Sequence, residues 1–539
     1  MSRLPTLLFS SALAPRRIFL RTGCAAALLL APAARAQWNG YAGDPQHTAI
    51  SAVAAQSLAS IRWSTPVDEN NPSEPIYIHY GSPVITAANT VVVPVRAAGG
   101  AYCVDARSGT TGALLWETMT DYVNAPSSGG WVPSFSPALA PSGELYYQGI
   151  GGTVYRVDNP NATTVSPLRI SFLPDYAANQ AAYDSTVFVS TPITSDSLGN
   201  IYFGYEVSGA APGGLTSGIA RIAPDGTATH TSANAASGVS GAAGLRLGTN
   251  SAPALSNDGS KLYVALQGGT DYLAAVDATT LAPQQHVTLT HGSIHDAATS
   301  SPTVGPDGHV YFGVLRFDNH FRGMLEHFSG DLAQTFAPGS FGWDITASIV
   351  PASMVPSYGG ASAYLVLTKY NDYKEAGGTG INRMAILDPN ATQTDPFTGL
   401  TVMGEVLTIA GVTPDPLLPQ VREWCVNTAA VDPLTKSILV NSEDGLLYRW
   451  DLTTNTFSKS IELQANGALE AYTTTAIGPD GTVYAINKAT LFAIGVPEPG
   501  SALLLGMGVL TMVGRRRRAR AGRSFLPESC QSARGADRH

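Results

Sequence analysis

The fold of this 539-residue chain follows from the pattern in Ser136-Pro137-Ala138-Leu139-Ala140-Pro141-Ser142-Gly143-Glu144-Leu145-Tyr146-Tyr147-Gln148. This pattern joins a small hydroxyl residue and a Pro to a short apolar run, a Gly turn and an aromatic-rich run. The same phrase, with Pro in second place, also begins at four other positions: Ser82, Thr191, Ala252 and Ser301. Weaker copies begin near three further residues: Ser348, Thr428 and Thr474. Eight copies of one short unit predict a repeat architecture rather than several unrelated domains.

The copies fill residues 37–495 at about 57 residues per unit, with turn residues between short apolar strands. This pattern predicts an all-β fold, an eight-bladed β-propeller of four-stranded antiparallel blades. We expect the first and last strands to share a blade, because that closure removes the exposed sheet edges. The sixth unit is stretched between Trp343 and Pro419. A seven-bladed ring is therefore the alternative, if that unit is an excursion and not a blade.

Composition agrees with an exported all-β protein. Charged residues make up 13% of the chain and hydrophobic residues 44%, with 55 Gly and 36 Pro. The net charge is −9, and the Arg-rich ends mask a more acidic body. We expect no nucleic-acid partner, because proteins that bind nucleic acids carry a basic face.

The N-terminal 36 residues have the layout of a signal peptide. The basic stretch with Arg16 and Arg17 precedes an apolar run over residues 24–33, and Ala34-Arg35-Ala36 supplies a small-x-small cleavage pattern. We place the mature start at Gln37. The paired arginines resemble the twin-arginine export consensus, and general secretion is the alternative.

The C-terminus carries a second three-part signal. Val496-Pro497-Glu498-Pro499 is followed by an apolar run over residues 500–514 and then by Arg515, Arg516, Arg517 and Arg518. This order resembles the PEP-CTERM sorting signal over residues 496–518. The resemblance implies export machinery and an exosortase-like processing enzyme as partners, with transient anchoring by a transmembrane helix in the inner membrane. It also implies a final location at the outer surface or in the exopolysaccharide matrix of a Gram-negative cell. An ordinary membrane anchor is the alternative, and residues 519–539 are expected to be a disordered polar tail.

The body resembles the quinoprotein, or pyrroloquinoline-quinone-like, repeat. The resemblance rests on the mature N-terminus from Trp38 to Thr48, on an outer strand ending in Trp63, and on Val104-Asp105 leading to Trp116. It implies the propeller fold. Dehydrogenases of that family use a calcium site and often an adjacent Cys pair, and this chain has no adjacent Cys pair. No cofactor is therefore predicted; pyrroloquinoline quinone and calcium belong only to the alternative in which the chain oxidises alcohols or sugars.

Neither a metal site nor a catalytic residue is predicted from local motifs. His291 and His295 lie close together, but their stretch also fits a polar loop between blades. The four cysteines are Cys24, Cys103, Cys425 and Cys530. Packed thiols are the preferred interpretation of the two in the body, and a Cys103–Cys425 disulfide stays open.

A binding site is predicted from position alone. In this propeller family the loop that enters each innermost strand opens on one face, and these loops are rich in aromatic and charged residues. The candidate ligand-binding residues are Trp131, Arg246, His295, Asp296, Trp343, Asp344, Arg422, Glu423, Trp424 and Glu470. They would form an amphipathic funnel for a sugar, peptide or cofactor, with Trp343 and Trp424 as stacking surfaces. The competing interpretation is that they simply fill the channel.

The function predicted from these features is binding or scaffolding, without catalysis, at the cell surface or in an exopolysaccharide matrix. Exopolysaccharide or surface proteins are the expected partners. The alternatives are a quinone-dependent oxidoreductase and a polysaccharide-cleaving enzyme. The latter would need two facing carboxylates, drawn from Asp344, Glu423 and Glu470.

We predict processing at both ends of the chain. Intact-mass analysis of cell-surface material should show loss of the residues before Gln37 and of the region after Val496, because both ends carry removable sorting signals. Recovery of the full-length chain from the cytosol would contradict this prediction.

Overall fold

The computed structural model describes residues 38–69, 81–128, 135–295, 300–343, 345–424, 428–464 and 471–497. Within these ranges the chain forms eight antiparallel sheets, which are the blades of a β-propeller. The predicted eight-bladed all-β fold is confirmed. The sixth unit builds a blade of its own, so the seven-bladed alternative is wrong.

The strands follow one another blade by blade, except that the first strand of the chain belongs to the last blade. That strand is β1 (Ser60–Pro66). Blades 1 and 2 contain β2 (Val84–Ile85), β3 (Thr90–Arg96), β4 (Tyr102–Ser108), β5 (Leu114–Thr120), β6 (Ala138–Leu139), β7 (Leu145–Gln148), β8 (Thr153–Val157) and β9 (Leu168–Ser171). Blades 3 and 4 contain β10 (Val187–Val189), β11 (Thr194–Ser195), β12 (Ile201–Val207), β13 (Gly218–Ile222), β14 (Ala228–Ser232), β15 (Arg246–Leu247), β16 (Ala254–Leu255), β17 (Lys261–Gln267), β18 (Tyr272–Asp277) and β19 (Pro283–Thr288).

The second half of the ring continues in the same way. Blades 5 and 6 contain β20 (Thr303–Val304), β21 (Val310–Val314), β22 (Met324–Phe328), β23 (Ser348–Pro351), β24 (Tyr364–Tyr370), β25 (Arg383–Thr394) and β26 (Thr401–Ala410). Blades 7 and 8 contain β27 (Ala430–Asp432), β28 (Ser437–Asn441), β29 (Leu446–Asp451), β30 (Thr456–Glu462), β31 (Ala476–Ile477), β32 (Val483–Asn487) and β33 (Thr490–Gly495). Two short α-helices lie in the loops before blades 3 and 4, α1 (Gln180–Thr186) and α2 (Ala233–Ser237).

Burial falls from the inner strands to the outer ones. Every residue of β21 is buried, whereas most of β30 is exposed. The inner strands need apolar residues on both faces because each blade is covered by a neighbour on either side. The outer strands face solvent and can be polar.

The recurrent Gly turn links the first and second strands of a blade. In blade 2 the Gly143 N–H donates to the Ala140 carbonyl at 2.9 Å, and Gly143 adopts a φ of +106°. A positive φ favours glycine because it has no Cβ. This backbone requirement explains why Gly recurs at the same place in the repeated phrase.

The ring closes through blade 8. Strand β1 pairs antiparallel with β33, from Ser60 opposite Gly495 to Pro66 opposite Thr490. The prediction that both ends of the propeller share a blade is confirmed. In addition, the Trp63 indole N–H donates to the Gly109 carbonyl of blade 1 at 2.9 Å.

Blade 5 departs from the repeat. It has three regular strands among the described residues, and the outer side of β22 is bridged by an irregular segment through Thr335 and Gly339. The long β25–β26 hairpin of blade 6 covers this edge: the Met403 N–H donates to the Pro338 carbonyl at 2.8 Å, and Val402 packs in the blade 5 core. The stretched sixth unit therefore completes its neighbour.

Replacing Trp63 by Ala should lower the free energy of unfolding by about 2–4 kcal/mol, because the ring packs against the blade 1 turn across the closure. Urea unfolding of the Trp63→Ala variant measures this loss. Ser64→Ala on the exposed side of the same strand is the control and should change stability by less than about 0.5 kcal/mol. Equal stability of the two variants would show that the Trp63 contact does not hold the ring closed.

Candidate functional site

The first strands of the blades meet around the central axis, and each phrase begins there with a small residue. The Ser82 N–H donates to the Ser136 hydroxyl of the next blade at 3.1 Å, and the Ser301 N–H donates to the Thr346 hydroxyl at 2.9 Å. The Thr474 hydroxyl closes the ring by donating to Ser82 at 2.9 Å. The sixth phrase thus begins at Thr346, two residues before the predicted position. The hydroxyl at the start of the phrase is a link between neighbouring blades.

Residues 38–51, called the N-terminal plug here, run around the axis inside these strands. Six plug carbonyls accept hydrogen bonds from backbone N–H groups on six blades in chain order. The pairs are Ile85 to Trp38 (2.9 Å), Leu139 to Asn39 (2.7 Å), Leu255 to Pro45 (2.8 Å), Val304 to Gln46 (2.9 Å), Ile349 to Thr48 (3.0 Å) and Val431 to Ala49 (2.8 Å). The plug lies towards the Gly turns. We call the opposite face, where loops enter the first strands, the loop face.

The plug fills its end of the channel with buried side chains. The Tyr41 hydroxyl lies 2.8 Å from the Thr346 hydroxyl, and His47 Nδ1 lies 2.7 Å from the Pro302 carbonyl oxygen. Burial lowers the pKa of His47 to about 4, so the ring is neutral at pH 7. A ligand at the axis must therefore approach from the loop face.

A small recess remains where the plug bulges opposite blade 3. Its cavity volume is about 10 Å³, room for about one water molecule, and it is lined by the plug and by Ile193, Thr194 and Ser195. Asp44 borders it, but the Asp44 carboxylate already accepts hydrogen bonds from the Gln46 and Thr48 N–H groups and from the Thr48 hydroxyl. Asp44 therefore acts as an internal brace of the plug.

On the loop face, three side chains gather around Trp343, and we call these four residues together the Trp343 platform. Trp343 is half-buried, and the exposed His295 ring meets it edge-on at 6.3 Å. The buried Lys369 ammonium lies 5.3 Å from the indole centroid, and the buried Tyr373 ring lies 6.5 Å away. The structure thus brings together the predicted residues His295 and Trp343 and adds two that were not predicted.

Arg422 and Trp424 have internal partners. Arg422 forms an ion pair with Asp415 at 3.3 Å. Trp424 is 1% exposed, and its ring packs against Tyr448 and Phe457 at centroid distances of 5.7 and 5.8 Å. Its contacts are those of a blade core residue, and it offers no open face for stacking in this arrangement. Glu423 between them is half-buried.

Arg246 lies apart from these residues. It is half-buried at the start of β15, where its backbone pairs with Gln267. Nearby in the chain, the Thr249 hydroxyl lies 2.6 Å from the Ser127 hydroxyl, which donates to the Glu206 carboxylate. Three blades thus exchange polar contacts at this part of the loop face.

Several predicted residues lie outside the described ranges. In the funnel these are Trp131, Asp296, Asp344 and Glu470; in the sorting signal Glu498, Pro499 and Arg515 to Arg518; in the leader Arg16, Arg17, Ala34 and Ala36. The ligand-binding assignment of the ten funnel residues is not tested by the contacts above and stays a prediction.

Several buried charged residues on this face were missed, among them Glu206, Lys369 and Glu443. Glu206 and Lys369 are the penultimate residues of the second strands of blades 3 and 6. Glu443, in the turn after the second strand of blade 7, accepts a hydrogen bond from the Tyr472 hydroxyl at 2.9 Å. Glu206 and Lys369 could have been found from the sequence, because each is a charged residue near the end of an otherwise apolar strand. Buried charges are costly unless they are compensated, so these residues are candidates for a functional role in the same way as the aromatic residues of the loops.

The C-terminal signal is matched by a known motif. Residues 495–518 match the PEP-CTERM protein-sorting motif. The chain carries a PEP-CTERM sorting signal. The match indicates an exported protein anchored at the cell envelope and implies processing by exosortase-like machinery. Among the described residues, no helix is long and apolar enough to cross a membrane; the predicted membrane run at 500–514 lies outside them.

One solved structure with a TM-score above 0.5 supports the fold of the propeller. A europium-containing methanol dehydrogenase is similar over 84% of this chain and 89% of that chain, with a TM-score of 0.53 and 9% identity. BamB from Moraxella catarrhalis is similar over 81% of this chain and 99% of that chain, with a TM-score of 0.44 and 11% identity. At such low identity these likenesses describe architecture and not chemistry. A comparison with curated protein sequences finds no match.

Acid should destabilise the protein through His47. The pKa of this buried ring falls from its ordinary 6.5 to about 4, so the unfolded chain takes up the proton first as the pH drops. The contribution of the neutral His47 ring to stability is fully present above pH 6.5. It is lost as the pH falls from about 6.5 to 4, and the loss of stability amounts to roughly 3 kcal/mol at the lower end. Urea unfolding at pH 7 and pH 4.5 should show a smaller loss for His47→Gln than for the wild type.

The control for that measurement is His286→Gln, a half-buried histidine on an outer strand. It should keep the wild-type difference between the two pH values. An unchanged difference in His47→Gln would rule out the plug histidine as the acid-sensitive group. Comparing differences within each variant removes any general effect of the substitution on stability.

Proposed function

We propose that this chain is a non-catalytic binding module that is displayed at the cell surface or in an exopolysaccharide matrix, and that it binds sugar rings through the Trp343 platform. The observation that supports it most is a half-buried indole on the loop face, flanked by an exposed imidazole and backed by a buried ammonium group. Flat aromatic surfaces suit the apolar faces of sugar rings. Export by a PEP-CTERM signal is consistent with a partner outside the cell.

The platform is prepared for binding before a ligand arrives. Lys369 lies on the strand β24 of blade 6, and Tyr373 follows in the ordered loop after it. The Asn371 side chain between them bonds both the N–H and the carbonyl of Trp424 at 3.1 Å. A site whose side chains are already held loses less conformational entropy on binding.

The indole N–H of Trp343 is buried without an acceptor among the described residues. An unpaired buried donor costs free energy. A small shift of the ring on binding would let this N–H donate to a sugar hydroxyl. The same ring would then supply both an apolar face and a polar contact.

The oxidoreductase alternative is less well supported. A quinone cofactor of the dehydrogenase type is acidic and flat, and it needs cationic side chains that are free to meet it. Among the described cations near the platform, Lys369 is buried behind Trp343, Arg322 is buried over the Phe341 and Phe397 rings, and Arg422 is paired with Asp415. These residues do not fit such a cofactor in their present arrangement, so no redox step is derived from them.

A glycan array tests the proposal, with the wild type and a Trp343→Ala variant compared by binding isotherms on each hit. We expect the substitution to weaken binding at least 10-fold, because the stacking face is removed. Trp343→Phe should retain part of the affinity. Phe317→Ala is the matched control, an aromatic residue that is 63% exposed in a loop of the same face, outside the platform.

Two outcomes would overturn the proposal. One is a glycan that binds the wild type and Trp343→Ala equally well. The other is turnover: dye reduction with alcohols or sugars after addition of pyrroloquinoline quinone and calcium, or cleavage of a bound polysaccharide, would replace the binding module by an enzyme.

A further inference from the structure

A cluster of three side chains that could bind a metal lies on the third and fourth strands of blade 1, away from the central axis. Cys103 and Asp105 are two residues apart on β4, and Glu117 is directly opposite Asp105 on β5. Alternate residues of a strand share a face, and directly paired residues of neighbouring strands share it too. The Cys103 sulfur and one carboxylate oxygen each of Asp105 and Glu117 all lie within 4.8 Å of one another.

One acceptor in this cluster has no partner. Asp105 is 3% exposed, and both of its bonds from Arg107, at 2.7 and 3.2 Å, go to Oδ2. Its Oδ1 is buried without a hydrogen-bond partner. Such an atom is costly to leave unpaired, and Cys103 and Glu117 lie beside the same carboxylate group.

Negative charge exceeds positive charge near the cluster. Glu69, which follows β1, adds its charge to those of Asp105 and Glu117, and Arg107 opposes them. Burial and these carboxylates raise the pKa of the Cys103 thiol to about 12. A cation at this point would relieve the repulsion and allow the thiolate to form.

We propose that Cys103, Asp105 and Glu117 bind one divalent cation of the Zn²⁺ class. Sulfur together with carboxylate oxygen suits Zn²⁺ and Cd²⁺, whereas Ca²⁺ and Mg²⁺ prefer oxygen alone. Tetrahedral Zn²⁺ holds such ligand atoms about 3.3–3.5 Å apart, so binding requires the three atoms to move closer together, and the exposed Glu117 side chain can rotate towards the other two. The fourth position is left for water or for Glu69.

Arg107 is the positioning residue of this site. It holds Oδ2 of Asp105 and donates to the Gly112 carbonyl at 3.2 Å, which leaves Oδ1 as the oxygen that a cation would take. Partners of this kind fix the orientation of a metal ligand and typically change affinity by about 10–100-fold. The cation would join β4 to β5 on the side of blade 1 whose core is shared with blade 8.

Titration with Cd²⁺ tests the site, because a cadmium–thiolate bond absorbs in the ultraviolet. The reduced full-length chain should bind one Cd²⁺ with this absorption band, and bound metal can be counted by mass spectrometry. Cys103→Ser should lose the band although Cys24, Cys425 and Cys530 remain. Glu117→Gln should weaken binding at least 10-fold, and because Glu117 is exposed this variant keeps the experiment valid if Cys103→Ser fails to fold.

Glu144→Gln is the charge-matched control, a carboxylate in the Gly turn of blade 2, and it should bind like the wild type. Zn²⁺ should also raise the melting temperature of the wild type more than that of Glu117→Gln. The proposal is overturned if the wild type takes up no stoichiometric Cd²⁺, or if Cys103→Ser or Glu117→Gln binds it as tightly.

Discussion

Crowding at the axis governs how this propeller is built. Eight first strands converge there, and each presents an inner edge whose backbone N–H groups would be unsatisfied in a dry channel. The molecule meets this demand twice. Hydroxyl residues at the start of the phrase accept from the neighbouring blade, and the plug offers its carbonyls to six blades in turn. Small residues and Pro recur in the phrase because little else fits there.

Filling one end of the axis makes the two faces of the propeller unequal. The plug face is sealed by Tyr41 and His47, which are both buried. The loop face receives the variable loops, and the charged and aromatic side chains accumulate there. A closed ring with a sealed base is a rigid support, so that recognition can change through loop residues without altering the frame.

Buried charge is compensated differently at each place where it occurs. His47 loses its charge, since a neutral ring can donate to the Pro302 carbonyl. Lys369 lies beside an indole, whose π-face attracts a cation. Asp105 is paired on one oxygen only. The third case is incomplete by comparison with the other two, and this is the physical reason for considering a metal there.

Local patterns in the sequence were sufficient to predict the propeller, its eight units, the blade shared by the first and last strands, and the sorting signal, because each of these patterns repeats along the chain or lies at one of its ends. It also pointed to the loop face through His295 and Trp343. Only the tertiary structure decided that Trp424 belongs to a blade core, that residues 38–51 fill the axis, and that the sixth unit covers the open edge of blade 5. It alone brought Lys369 under Trp343 and Glu117 beside Cys103, since strand register and packing between blades set those distances and no spacing along the chain records them.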